Sequence, residues 1–405
     1  MNVRYNGFHY LTLYSGTRMN IKNPLPNGHH RYNKFILQLL GSVTLALFLP
    51  QVNAAEVTKD IIINAGIDYD SNPNMVKRNK ESVWIYSIAP QLQLGITSEL
   101  NRWYLDAALL VQRHSNENVL VDREDPRLAI GWDRTYESGI FGIKADYIES
   151  SAREDELRST GVFTKTDNTE KIKRMSANWL YRINPKWSVL TDGSYSDVTF
   201  SRPGNLQGYN LGDIKSRLTY AYTERLDTSA ELGYSQLQPE KVFDDTEMLR
   251  LLMGAAYQVN ERLKLGANAG IYDLSGRQSD TDWQAGIKAE YVLDRTSYAA
   301  ELNRELAPSG VGGFRKVDSI RVGWEHKISE QDQVGANYSL YKARSDKEVN
   351  LDWVDYGQLS VFYERRLSRD WKTRLSAAFK EQDISVARSQ GNMIGVSLTY
   401  DTLSF

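Results

Sequence analysis

The chain has 405 residues, no cysteine, 49 Lys+Arg against 51 Asp+Glu, and a formal net charge of −2 at pH 7. Without cysteine there are no disulfides, thiolate metal sites or cysteine nucleophiles, and a near-neutral balance argues against a nucleic-acid binder, which would carry a basic stripe. The mean hydropathy is −0.50, and no apolar run reaches the ~20 residues that a spanning helix needs.

The first readable segment lies near the N-terminus. After Arg31 and Lys34, an apolar run from Phe35 to Leu49 leads into Val52-Asn53-Ala54-Ala55. A basic flank, an apolar stretch and small residues three and one before a cleavage point predict a secretory signal peptide. Cleavage after Ala54 would leave 405 − 54 = 351 residues. A single membrane anchor is the competing reading, but the run is short for a bilayer. Nothing before Arg31 shows a usable period, and Met19 is an alternative start. The expected organisation is therefore an N-terminal extension plus signal peptide over 1–54, and one domain over 55–405.

From about residue 60 onward the chain repeats one chemistry. Runs of about ten residues alternate apolar and polar, each followed by a turn. Trp283, Ala285, Ile287, Ala289, Tyr291 and Leu293 share one face, while Gln284, Gly286, Lys288 and Glu290 share the other. Period-two alternation is the mark of a strand with one apolar and one polar face. Such runs fall near 61–69, 83–96, 102–112, 126–134, 139–148, 172–183, 187–198, 213–224, 229–237, 247–259, 262–273, 282–293, 297–305, 316–327, 333–342, 355–366, 371–381 and 391–403. They predict an all-β transmembrane antiparallel β-barrel of about 18 strands, or 16 if a marginal run such as 229–237 is loop.

The gaps alternate in length. Short ones carry turn chemistry: Ser98-Glu99, Asn184-Pro185, Asn260-Glu261, Asp294-Arg295, Ser329-Glu330 and Ser368-Arg369. Long polar ones run from Ser71 to Lys80, Ser150 to Glu170, Ser201 to Leu211, Leu274 to Thr281, Ala307 to Phe314 and Arg344 to Trp353. Short turns on one rim and long loops on the other distinguish the two ends of an outer-membrane barrel, and place both termini at the short-turn end. Trp103, Trp132, Trp187, Trp324 and Trp371, with Phe141, Tyr181, Tyr257, Tyr291, Tyr298 and Tyr363, fall beside short turns on the apolar phase. There they would form an interfacial aromatic belt. A soluble sandwich or propeller would bury such rings but would not explain the asymmetry of the connections.

The opposite phase is charged. Its expected pore-lining residues are Lys144, Asp146, Arg174, Arg182, Lys215, Arg217, Arg250, Lys264, Lys288, Glu290, Arg321, Lys372 and Arg374. Barrels of ~16–18 strands leave an aqueous channel. A basic excess on its wall would favour anionic solutes mildly, whereas local pairing would leave no selectivity, and both readings stand. The long segment Ser150–Glu170 could fold into such a channel or gate it.

The final run, Met393 to Phe405, ends on an aromatic and looks like the C-terminal signal read by the outer-membrane assembly machinery. Ile394, Val396, Leu398 and Tyr400 share one phase, and Leu403 and Phe405 the other. A bulge near Asp401 would reconcile them.

One motif carries a resemblance. Ala65-Gly-Ile-Asp-Tyr-Asp-Ser-Asn-Pro73, followed by Ser82-Val-Trp-Ile-Tyr-Ser-Ile-Ala-Pro-Gln-Leu-Gln-Leu94, resembles a family of outer-membrane β-barrel porins that accompany bacterial exopolysaccharide export. It covers about a tenth of the chain. The resemblance implies an outer-membrane barrel, a passage for a secreted glycan and periplasmic export proteins as partners. It supplies no catalytic residue.

The expectation is thus a porin-like channel embedded in outer-membrane lipid, with no cofactor, no metal and no nucleic-acid partner. Two rivals have different signatures. A barrel-based hydrolase would need a His beside a nucleophile or paired acids, and residues 55–405 offer only His114 and His326. An anchoring or adhesion barrel would act through its surface loops, none of which is long enough for a separate domain. No metal-ligand spacing or phosphate-binding glycine loop is present.

Overall fold

The computed structural model describes residues 55–160, 168–201, 206–240, 244–276, 279–310, 313–344, 354–384 and 387–402. The expected signal peptide and the terminal Leu403 and Phe405 lie outside the described residues. The elements are β1 (Glu56–Asp70), β2 (Val83–Thr97), β3 (Asn101–His114), β4 (Arg123–Tyr136), β5 (Gly139–Ser151) and a helix, α1 (Ala152–Thr160). They continue with β6 (Thr169–Arg182), β7 (Trp187–Phe200), β8 (Tyr209–Ala221), β9 (Leu226–Pro239), β10 (Thr246–Gln258), β11 (Leu263–Gly276) and β12 (Asp280–Val292). The last are β13 (Thr296–Ser309), β14 (Gly313–Lys327), β15 (Asp332–Arg344), β16 (Val354–Arg366), β17 (Trp371–Ile384) and β18 (Ala387–Asp401).

Every strand pairs antiparallel with its sequence neighbours, and β1 also pairs with β18, so the sheet closes into an 18-stranded barrel. The run near 229–237 is strand β9, hydrogen-bonded to both β8 and β10, which decides for eighteen strands over sixteen. Closure removes the open sheet edges that hydrocarbon cannot tolerate. β1 divides its partners: Glu56–Ile61 face Thr97–Leu92 of β2, and Ile62–Asp70 face Asp401–Met393 of β18. Both termini of the sheet therefore sit at the short-turn rim. The β18 register is unbroken through Asp401, so the described residues show no bulge there.

The alternation sorts the two faces. Leu249, Leu251 and Met253 of β10, Ile287 and Tyr291 of β12, and Ile394, Val396 and Leu398 of β18 are all exposed, and all belong to the apolar phase. In a closed barrel that phase is the outer wall. Near the short-turn rim the outer aromatics meet across strands. Trp103 and Trp132 lie 5.7 Å apart, Trp187 and Tyr220 4.5 Å, Tyr291 and Tyr298 6.3 Å, and Trp371 and Tyr400 5.1 Å between ring centroids. The short turns use the side chains their sequence advertises. Asn184 Oδ1 accepts the Lys186 and Trp187 N–H groups, Asn260 Oδ1 those of Arg262 and Leu263, and Ser329 Oγ those of Gln331 and Asp332.

The strands are longer than the alternating runs. They have 13 to 15 residues, so at ~3.3 Å per residue and a tilt of ~40° they rise about 35 Å, against an apolar band of ~25 Å. The excess lies at the loop rim. There the outer phase turns charged and pairs across strands: Lys173 with Asp197 at 3.0 Å, Lys171 with Glu149 at 3.0 Å, Arg304 with Asp318 at 2.6 Å and Lys342 with Asp355 at 3.3 Å. This extension shortens two of the expected long loops. β11 runs to Gly276 and β12 starts at Asp280, while β13 runs to Ser309 and β14 starts at Gly313. The hydrogen-bond ladder continues past the point where the hydrophobic pattern stops.

Candidate functional site: the inner wall and the loop-side mouth

All the expected lining residues project from the inner phase, each flanked in sequence by outward positions. They sit within alternating charges. Lys144 Nζ is 2.5 Å from Asp146. Arg217 donates through Nε and Nη2 to Glu231 Oε2 at 2.9 and 2.6 Å, and Arg250 reaches Glu231 at 3.6 Å and Asp213 at 3.5 Å. Lys288 pairs with Glu290 at 2.7 Å, and Arg321 with Glu301 at 3.5 Å and the Tyr341 hydroxyl at 3.2 Å. Register adds Lys264 opposite Glu290, Lys288 opposite Glu301 and Lys215 opposite Asp192. Arg374 bonds Glu364 at 2.6 Å and stacks over the inward ring of Phe362, with Lys372 two residues before it. Arg174 donates to Ser196 Oγ at 3.0 Å, and Arg182 lies at the short-turn end of β6. The wall is charged but locally compensated.

The larger departure from a smooth tube is at the loop side, where two connections turn inward. The first is the β1–β2 loop. Asp70 pairs with Lys380 of β17 and accepts the Asn72 N–H at 3.0 Å. Ser71 and Asn392 of β18 exchange two hydrogen bonds, N–H to O at 2.9 Å and N–H to Oγ at 2.8 Å. Asn72 is fully buried. Its amide donates to the Gln390 and Val76 carbonyls at 2.9 Å each, and its Oδ1 accepts the Val76 N–H at 3.0 Å. The Asp-Ser-Asn-Pro motif is thus a clamp joining the first loop to the last two strands. Beyond it Met75, held at a φ of +46°, buries its side chain among Ala307, Val317, Tyr341 and Tyr356.

The second inward connection is α1. Its start has a capping-box spacing, Ser151-Ala152-Arg153-Glu154, with Ser151 Oγ accepting the Glu154 N–H at 3.4 Å and two acids in the first turn. Ser150 Oγ also donates to Asp155. Although α1 follows β5, Leu157 packs on the cluster built from β13, β14, β15 and β16. Glu156 is buried, and its carboxylate accepts the Gly310 N–H at 2.7 Å, the Ser309 hydroxyl at 3.1 Å and the Thr160 hydroxyl at 3.0 Å. Burial raises its pKa above the ordinary 4.5, opposed by the Gly310 bond and by the charge of Arg315. Gly310 is also where the β7–β8 loop arrives, since the Gln207 N–H donates to its carbonyl at 2.6 Å. A Cβ on Gly310 would stand 2.7 Å from the Phe200 ring. Two long connections thus meet on the short β13–β14 turn at this one residue.

The expected lining list missed Glu156 and Asn72 because both lie in connections. The capping-box spacing was a readable signal for α1. No period-two pattern could have shown which wall the helix meets. The histidines lie at opposite ends: His114 is buried at the loop side, 3.7 Å from Asp122, whereas His326 stacks on Trp324 and shares a 2.8 Å contact with Thr296 Oγ1. Among the described residues, no group of three or more His, Asp or Glu side chains could hold a metal ion.

With this geometry in hand, the barrel can be set beside solved structures. It superposes on OccAB4 of Acinetobacter baumannii with a TM-score of 0.50 at 10% sequence identity, covering 87% of this chain and 99% of that one. The fold is an outer-membrane-type barrel. The outer membrane protein OpdK of Pseudomonas aeruginosa gives a TM-score of 0.47 at 12% identity, covering 85% and 98% of the two chains. At these identities the likeness concerns the fold alone. No protein-family model and no curated protein matches the sequence.

Proposed function

We propose that the chain is a porin-like channel of the bacterial outer membrane, delivered there by its signal peptide and the barrel assembly machinery. The observation that carries this reading is the inner wall. Opposite an exposed apolar outer face, Lys264, Glu290, Lys288, Glu301 and Arg321 alternate in sign across four adjacent strands. Such a belt is costly in a dry interior and is well solvated beside water. Transport is passive: polar solutes exchange hydrogen bonds with the wall as they move. Reconstitution into planar bilayers should give stepwise ionic currents. Silence from a folded barrel, with its mouth both intact and loosened, would end the channel reading.

For cargo we propose an exopolysaccharide, with periplasmic export proteins as partners, and this rests on the motif resemblance alone. In this reading a polymer threading the barrel passes α1 at the loop-side mouth. Added to one side of a conducting bilayer, the matching glycan should interrupt the current reversibly. If no acidic or neutral polysaccharide does so, the cargo is something else.

A further inference from the structure

We propose that α1 is a releasable lid over the loop-side mouth, latched by Glu156 to Ser309 and Gly310, closed in acid and loosened as the pH rises. The proposal rests on the channel reading above.

Position comes first. Leaving β5 and leading towards β6, α1 bonds through Glu156 to Ser309 and Gly310 at the end of β13 and packs Leu157 on residues of β14, β15 and β16. β5 and β13 stand on opposite sides of the 18-stranded barrel, so the helix lies across the opening rather than along one wall. Attachment comes next. Of its nine residues, Ala152-Arg-Glu-Asp-Glu-Leu-Arg-Ser-Thr160, only Ala152 and Leu157 are apolar. So little apolar surface cannot hold a helix by burial, and nine residues are too few to remain helical alone in water. Polar contacts must hold it, and the bonds accepted by the buried Glu156 carboxylate are those that tie α1 to the end of β13, so weakening them favours the released, unwound helix.

The groups around Glu156 make that latch sensitive to protonation. From β14 it faces Arg315, itself buried; from β8, Tyr209; from β6, the buried acid Glu170 stands near the same phenol. On β13 it meets the neutral Ser309, while the nearest acid on that strand, Glu305, interacts with Arg321 and Glu301 instead. On β5 the adjacent group is Ser150, engaged by Asp155. Cations and acids both stand around Glu156: Arg315, Arg174 near the Tyr209 phenol and the buried Arg153 one turn back on α1, against Glu170 and Asp155. Burial of the Glu156 carboxyl is the larger effect and favours its proton. Because the docked carboxyl binds its proton more tightly than a free one, docking is strongest below pH 4.5. It weakens as the pH climbs from there through the raised value, by up to about tenfold in the docking constant per pH unit.

The test is planar-bilayer conductance of the full chain between about pH 4 and pH 8, with barrel folding checked by its heat-dependent shift on gels. Wild-type conductance should rise severalfold with pH. Glu156→Gln keeps an acceptor for the Gly310 N–H but cannot ionise, and should stay in the low-conductance state throughout. Glu156→Lys sets a second cation beside Arg315 and should conduct at the high level at every pH. A wild-type profile retained in Glu156→Gln would overturn the latch, as would equal currents from all three proteins. Silence from all three folded barrels would instead remove the channel reading and the lid with it.

Discussion

Asn72 makes five hydrogen bonds from a position with no solvent contact, and three of them use its side-chain amide. An aspartate could not donate to two carbonyls, and an alanine would leave the part-buried Gln390 and Val76 carbonyls without that partner. The same clamp holds Met75 at positive φ, a backbone state that costs a non-glycine residue roughly 1–2 kcal/mol and persists only when its surroundings impose it. Asn72→Ala should therefore lower unfolding stability in denaturant by about 1–3 kcal/mol and raise the protease sensitivity of the β1–β2 loop. An unchanged midpoint would show that the clamp is dispensable. Gly310 works differently, by having no side chain where Phe200 and Glu156 close in. Gly310→Val should force the two apart and raise conductance in bilayers without altering barrel assembly.

At the level of the strand, the period-two pattern carries most of the fold. Leu251 faces outward and exposed on β10, whereas Leu252 faces inward, and the two differ in nothing but phase. An arginine at 251 should cost about 2–4 kcal/mol, as charges on the lipid face do near the bilayer midplane. At 252 it should cost clearly less, because it can reach lumen water. Equal penalties, measured by reversible unfolding into lipid vesicles, would contradict the assigned faces. Strand number, phase, short-turn chemistry and the side for the termini were all legible because each is local. Strand ends were not. The apolar pattern ends where hydrocarbon ends, but backbone pairing continues, carried by Arg304–Asp318 and Lys342–Asp355. Of the mouth, an inward turn of Ser150–Glu170 was an expectation, but the wall that it meets was not legible. Glu156 and Ser309 are 153 residues apart, and nothing in either neighbourhood announces the other.

For the whole molecule, the balance of the inner wall sets the expected behaviour. Basic residues outnumber acidic ones among the expected lining positions, yet most face a carboxylate on the same or an adjacent strand. The reversal potential in a salt gradient should therefore lie near zero. Removing one hub should tilt it. Glu231 is shared by Arg217 and Arg250, so Glu231→Gln leaves two guanidinium groups facing the lumen with less compensation and should shift permeation toward anions. A shift toward cations would refute this reading of the wall.

The clamp at Asp70, Ser71 and Asn72 has a consequence for biogenesis. Its partners, Lys380, Gln390 and Asn392, belong to the last hairpin to be made. A chain still missing that hairpin has neither its seam nor its first loop in place. Sealing of the cylinder and furnishing of its entrance are then a single late event, and a truncated product cannot pass for a finished pore.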